Sequence, residues 1–222
     1  IKTLRTAFDD EKASAVILYI DSPGGSPAEA ERINNFIQHK KAETKKPLYA
    51  VCANMCASAG YMIAMQGDQV YASKYSLIGS IGAVLSSWNF SEAINKFGVQ
   101  HNAYASGKLK AMLNPYSPVK AEDEEKAQIL VEGMGKIFAQ EVAERRKDKL
   151  TTKVDLFTGE VWDGSHAQTL GLVDKIGTLD DVVRENFPVG VAVKELSRPG
   201  RGRMLFTRGL LVFSAISDGT KS

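Results

Sequence analysis

Three short segments gather the residue types that acyl transfer requires. Ser58 stands in Ala57-Ser58-Ala59-Gly60, between two apolar runs. A serine attacking a carbonyl needs a base for its proton and donors aimed at the developing oxyanion. Small neighbours at a strand-to-helix corner let another backbone approach the hydroxyl, and a helix start presents unpaired N–H groups beside it. The same corner suits a serine that only caps the helix. The second segment is Asp21-Ser22-Pro23-Gly24-Gly25-Ser26. A double glycine after a buried strand can turn backbone N–H groups toward an anion or carbonyl, or can make an ordinary turn.

The third requirement is the base. The chain has three histidines, His39, His101 and His166, none inside a Ser/His/Asp pattern. His39 falls at a charged helix end and His166 near an exposed helix start; His101 is expected on a strand, from which it can face inward. Lysine is the other choice, because desolvation disfavours the ammonium form and moves its pKa toward neutrality. Lys108 and Lys110 follow Ser106-Gly107 and precede Ala111-Met112-Leu113-Asn114-Pro115-Tyr116. Two apart, they share a face if the preceding strand persists, so periodicity does not choose between them.

The surrounding pattern supplies the elements that would hold these residues. After an opening helix, the run Ala15 to Ile20 reads as a buried strand, continuous in the manner of a parallel sheet covered on both faces. A helix with Ile33, Phe36 and Ile37 on one side follows, then a strand over 47–53 and a short apolar helix through Met65. Gln69–Ala72 reads as a third strand, followed by the apolar stretch 77–85. Ser91–Phe97 reads as a helix ended by Gly98, and 99–105 as a further strand. Glu122–Lys149 has Ile129, Leu130, Met134, Ile137, Phe138 and Val142 at helical spacing. Shorter helices are expected over 165–170 and 179–186. Alternating strand–turn–helix units predict an α/β fold with a largely parallel sheet and a C-terminal helical extension. The expected organisation is one domain over 1–196, mainly helical over 118–187, and a tail over 197–222. The tail is first basic (Arg198, Arg201, Arg203) and then apolar over 204–216. That apolar part can add a strand, lie on a membrane surface or dock on a neighbouring subunit.

Bulk composition excludes more than it selects. The 222 residues are 44% hydrophobic and 24% charged, with a formal net charge of +2. No strong field favours nucleic acid, and no partner of that kind is expected. Cys52 and Cys56 are too few for a disulfide framework and lack a second Cys/His pair for zinc; they are expected as small buried residues. No cofactor or metal is expected. No apolar run reaches the length of about 18 residues that a membrane span needs. The chain opens on Ile1 without a methionine, as a trimmed or processed chain would, so an upstream anchor is compatible with it.

Taken in order, these segments resemble the signal peptide peptidase A family of serine–lysine proteases, which have the Clp protease/crotonase-type fold of repeated ββα units. The resemblance runs from about Val16 to Val183. It rests on Asp-Ser-Pro-Gly-Gly at 21–25, Ala-Ser-Ala-Gly-Tyr at 57–61, Gly-Ser-Ile-Gly at 79–82 and Ser-Gly-Lys-Leu-Lys…Asn-Pro-Tyr at 106–116, with Gly-Leu-Val-Asp-Lys-Ile-Gly at 171–177. It implies Ser58 as nucleophile, Lys110 rather than Lys108 as base, and Ser80 as the residue orienting that lysine. The backbone N–H groups of Gly25 and Ala59 are implied as the oxyanion hole; the family often has Gly where Ala59 stands. Implied substrates are extended apolar peptides, such as signal peptide remnants, or membrane-associated proteins. A homo-oligomer with a site shared between subunits and a membrane-associated location are implied as well. The alternatives are a phage-type capsid maturation protease and a non-catalytic peptide-binding scaffold. An acyl-CoA hydratase or isomerase is weaker, because no acid/base carboxylates fall at the expected places.

Overall fold

The computed structural model describes residues 1–196 and 209–216. In chain order the elements are α1 (Lys2–Asp9), β1 (Ala13–Ser22), α2 (Pro27–Thr44), β2 (Leu48–Ala57), α3 (Ala59–Ala64), β3 (Gln69–Ala72), β4 (Leu77–Gly79), α4 (Ser91–Lys96) and α5 (Ala121–Arg146). A 3-10 turn at Lys147–Lys149 follows, then β5 (Val161–Asp163), α6 (Gly164–Thr169), β6 (Lys175–Ile176), α7 (Leu179–Asn186), β7 (Ala192–Glu195) and β8 (Gly209–Ile216). Two compact units emerge, one of residues 1–81 with 138 onward, the other Gly82–Ile137.

The first unit holds the sheet, in the order β5-β4-β2-β1-β8-β7, with β3 beside β2 and β6 beside β3. β1, β2, β3, β4 and β6 pair parallel with one another, while β8 joins β1, β5 joins β4 and β7 joins β8 antiparallel. Alternation along β1 explains its continuous apolar run. Val16, Leu18 and Ile20 join Phe8, Ile37, Tyr61 and Trp162 in the larger core cluster, whereas Ile17 joins Val51, Tyr71 and Val182 in a second one. A strand covered on both faces has no solvent side to make polar. The described part of the apolar tail, Gly209–Ile216, adds a strand beside β1, and 204–208 lie outside the described residues. The basic run Arg198, Arg201 and Arg203 lies outside the described residues.

Local signals explain most helix ends. Ser26 caps α2, its side chain accepting the Glu29 amide at 3.4 Å with Pro27 in the first turn. Thr178 and Asp181 form a capping box on α7. The expected strand over 99–105 is absent: these residues are exposed and make no ladder. A strand needs a partner edge, and Gln100, His101 and Asn102 offer too little apolar surface to recruit one. The second unit is instead organised by turns and aromatic contacts. Trp88 stacks on Phe90 with ring centroids 6.2 Å apart, and His101 packs against Tyr116 at 5.6 Å. His101 is thus exposed on an irregular segment rather than facing inward from a strand.

Candidate active site

Ser58 sits where β2 ends and α3 begins, with φ 51° and ψ −125°. A non-glycine residue held there costs about 1–3 kcal/mol and persists only where its surroundings over-determine it. Here they do. The Ser58 amide donates to Gly79 O at 2.8 Å, and the Ser58 carbonyl accepts from Met62 N at 3.0 Å. α3 is anchored below by the buried Tyr61, whose hydroxyl donates to Leu172 O at 2.8 Å. Burial pushes the Tyr61 phenol well above its ordinary pKa, so it stays a donor. The buried Asn34 of α2 donates to Met62 O at 3.0 Å. The amides of Ala59 and its neighbours, in the first turn of α3, have no acceptor one turn back within the helix.

The Asp21–Ser26 turn faces Ser58 at close range. A Cβ on Gly24 would lie 2.9 Å from Ser58 Cβ and 3.3 Å from its Oγ, and Gly24 has φ +130°. Glycine is therefore required there on both steric and conformational grounds. Gly25, the expected oxyanion donor, is exposed, with nothing within 4 Å of the Cβ position. Ser22 fills the space beside Gly60, where an added Cβ would lie 3.1 Å from Ser22 Cβ.

Ser80 follows the peptide that Ser58 leans on. Ala57 pairs with Gly79 in the β2–β4 ladder, and the Ser80 amide donates to Glu160 O at 2.7 Å. Ser80 is half-buried and also has positive φ, 51°. Ser58, Ala59, Gly25 and Ser80 thus all belong to the first unit. Lys108 and Lys110 belong to the second, both exposed in a run of turns where the Lys110 amide donates to Gly107 O at 3.0 Å. They do not share a strand face, because no strand persists there.

Cys52 and Cys56 are buried free thiols, as expected, and burial pushes the Cys56 thiol well up in pKa. Their register reveals a feature that sequence reading missed. Cys52 pairs with Ile20 and Cys56 with Ser22, so Ala53, Asn54 and Met55 bulge opposite the single residue Asp21. Nothing in residue type announces such a slip; only the pairing defines it. Among the described residues, no group of three or more His, Cys, Asp or Glu is placed to hold a metal ion.

A parallel β2 that delivers a positive-φ serine to a short helix, opposite a glycine turn, defines an α/β protein of the Clp protease type. Two comparisons agree. The Clp protease family model matches residues 1–78. The solved structure of a variant of 1510-N, a membrane-bound stomatin-specific protease, aligns with TM-score 0.52 at 15% identity, covering 82% of this chain and 75% of that one. The model of peptidase family S49 matches residues 40–187, and the chain belongs to that family. The chloroplastic serine protease SPPA of Arabidopsis thaliana is 30% identical over 207 residues, covering 90% of this chain and 30% of that protein. Protease 4 of Haemophilus influenzae is 32% identical over 184 residues, covering 83% and 30%. A Brucella melitensis protein named as the Na(+)/H(+) antiporter NhaA is 39% identical over 199 residues, which is 90% of this chain but 27% of that protein. The chain therefore spans less than a third of each of these three relatives.

Proposed function

We propose that the chain carries the catalytic part of a serine endopeptidase acting on extended apolar peptides. The observation that carries this reading is Ser58, held on a strained corner between the α3 amides and the Gly24–Gly25 turn. Neutral Lys110 takes the Ser58 hydroxyl proton as Oγ bonds to the scissile carbonyl carbon. The amides of Gly25 and Ala59 receive the oxyanion, and Ser80 orients the lysine. The Lys110 ammonium then gives its proton to the leaving amine as the C–N bond breaks. Water, deprotonated by the same lysine, hydrolyses the acyl-enzyme.

A lysine serves as a neutral base only where it is desolvated, yet Lys110 is exposed in its own chain. Its unit also leaves Trp88, Phe97, Ile129, Met134 and Ile137 exposed. Apolar surface of that kind favours burial by another copy, so the dyad is completed on assembly, between subunits. Signal peptide remnants or membrane-associated proteins are the proposed substrates, and membrane association belongs to the same proposal; the membrane-bound 1510-N protease supports the latter. No described helix is long and apolar enough to cross a membrane.

Ser58→Ala and Lys110→Ala are each expected to lower hydrolysis of an apolar peptide ester by about 10³-fold or more, and Lys108→Ala by less than about 3-fold. Full hydrolysis by the Lys110 variant would sink the dyad. Turnover per chain that holds constant on dilution to monomers would sink the shared site.

A further inference from the structure

The first two residues of Asp21-Ser22-Pro23-Gly24-Gly25 have no part in the proposed chemistry so far, and their contacts run to both the serine corner and the glycine turn. The Asp21 carboxylate faces the β2 bulge. Its oxygens accept the Met55 amide at 3.1 Å and the Asn54 side-chain amide at 3.1 Å. The bulge ends at Cys56, two residues before Ser58, so its shape sets the height at which β2 delivers the serine. On its other flank the Ser76 hydroxyl lies 3.0 Å from Cys52 O and closer still to Ala53 O. Without the Asp21 acceptor, the Met55 amide would lose its partner, and a bulge left unpaired is free to relax.

Ser22 serves the opposite wall. Its Oγ accepts the Gly24 amide at 3.2 Å and lies 3.2 Å from Gly24 O. Its Cβ meanwhile stands 3.1 Å from where a Cβ on Gly60, the second residue of α3, would lie, so the turn and the helix start approach closely there. One side chain thus ties the turn bearing Gly25 to the helix start bearing Ala59. Oxyanion donors act by being aimed before the charge forms, so a tie between their two carriers bears on the transition state more than on substrate binding.

We propose that Asp21 and Ser22 are positioning residues for hydrolysis, Asp21 through the bulge that presents Ser58 and Ser22 through the spacing of the two oxyanion donors. This rests on the peptidase reading above. Neither touches the substrate; each acts through a backbone that does.

The test uses Ser22→Ala, Asp21→Ala and Asp21→Asn in the intact protein. Active sites are counted by fluorophosphonate labelling run to completion. Ester kcat and KM are then measured per labelled site, with inhibition by a peptide boronic acid. The boron bonds to the serine oxygen and places an anionic oxygen where the oxyanion forms. Ser22→Ala and Asp21→Ala are expected to lose about 10- to 100-fold in kcat with KM within about 2-fold, less than the 10²–10³ lost with an entire donor. Boronate affinity should fall by the same factor. Asp21→Asn, which keeps an acceptor for the Met55 amide, should recover most of the loss. Fewer labelled sites with normal kcat per site, or boronate affinity equal to wild type, would overturn the proposal. A wild-type chain that neither hydrolyses the ester nor binds the boronate overturns the peptidase reading itself, and this proposal with it.

Discussion

Ser58 and Lys110 stand on very different ground. The serine is fixed from four sides, by β4, α3, the Gly24 turn and the core beneath Tyr61. The lysine is exposed in a turn whose hydrogen bonds are local. A nucleophile presented by a strained backbone has to be built covalently into its own unit. On the proposed reading, a base that works by desolvation can borrow its environment, which would place the dependence on assembly in the second unit.

Substitutions can break or sharpen that contrast. After the dyad variants, the largest effect on turnover is expected from Gly24→Ala, whose methyl would collide with Ser58 Cβ at a φ that alanine rarely adopts. Ester turnover should fall about 10²-fold or more, with the fold retained by circular dichroism. Survival of activity would mean that the Ser58 corner is not the built site described here. Next comes Arg146→Ala. Arg146 is 3% exposed and donates to Gly171 O and to both Asp174 oxygens. Asp174 is only partly buried and keeps Lys149 and the Val70 amide, so the loss should fall below the roughly 3–5 kcal/mol of a fully buried pair, readable by urea unfolding.

A smaller effect should appear on acidification. Burial pushes the Asp174 carboxyl up in pKa. The hydrogen bonds from Arg146, Lys149 and the Val70 amide together outweigh that and hold it below its ordinary value. With the folded pKa depressed, its contribution is complete above the unfolded value of about 4 and is lost as pH falls through the folded value. Arg146→Ala should flatten this acid limb, and an unchanged limb would remove Asp174 as its source. The smallest effect lies in the other unit. Gly133 is exposed on α5 with nothing within 4 Å of its Cβ position, so Gly133→Ala should stabilise the helix by about 0.5–1 kcal/mol. Destabilised assembly instead would show that a partner packs against that glycine.

The contrast also governs what the sequence made legible. The run Ala15 to Ile20 and the Ala57–Gly60 corner are local signals, and the structure realises both within the first unit. Parallel β1 and β2, the long α5 and the capped α2 and α7 follow from apolar spacing and end residues. β5, β6 and β7 have two to four residues each and escape any periodicity. Their existence depends on a neighbouring edge, as does the absence of a strand over 99–105. The bulge at Ala53–Met55 is a register event, so Asp21 and Ser22 looked like ordinary turn residues. Lys108 and Lys110 were inseparable on a presumed strand, and in turns the alternation argument no longer applies.

The pairing of β8 with β1 carries a consequence in time. Ser14 Oγ donates to Ala215 O across 201 positions of sequence. At about 5–20 residues per second, β1 emerges from a ribosome roughly 10–40 s before the strand that completes its ladder. Through that interval an apolar strand presents an open hydrogen-bonding edge, the condition under which nascent chains aggregate. Such long-range closure also makes for slow folding. Demand for chaperone protection during synthesis should therefore centre on β1, the strand that later leads into the Gly24 turn.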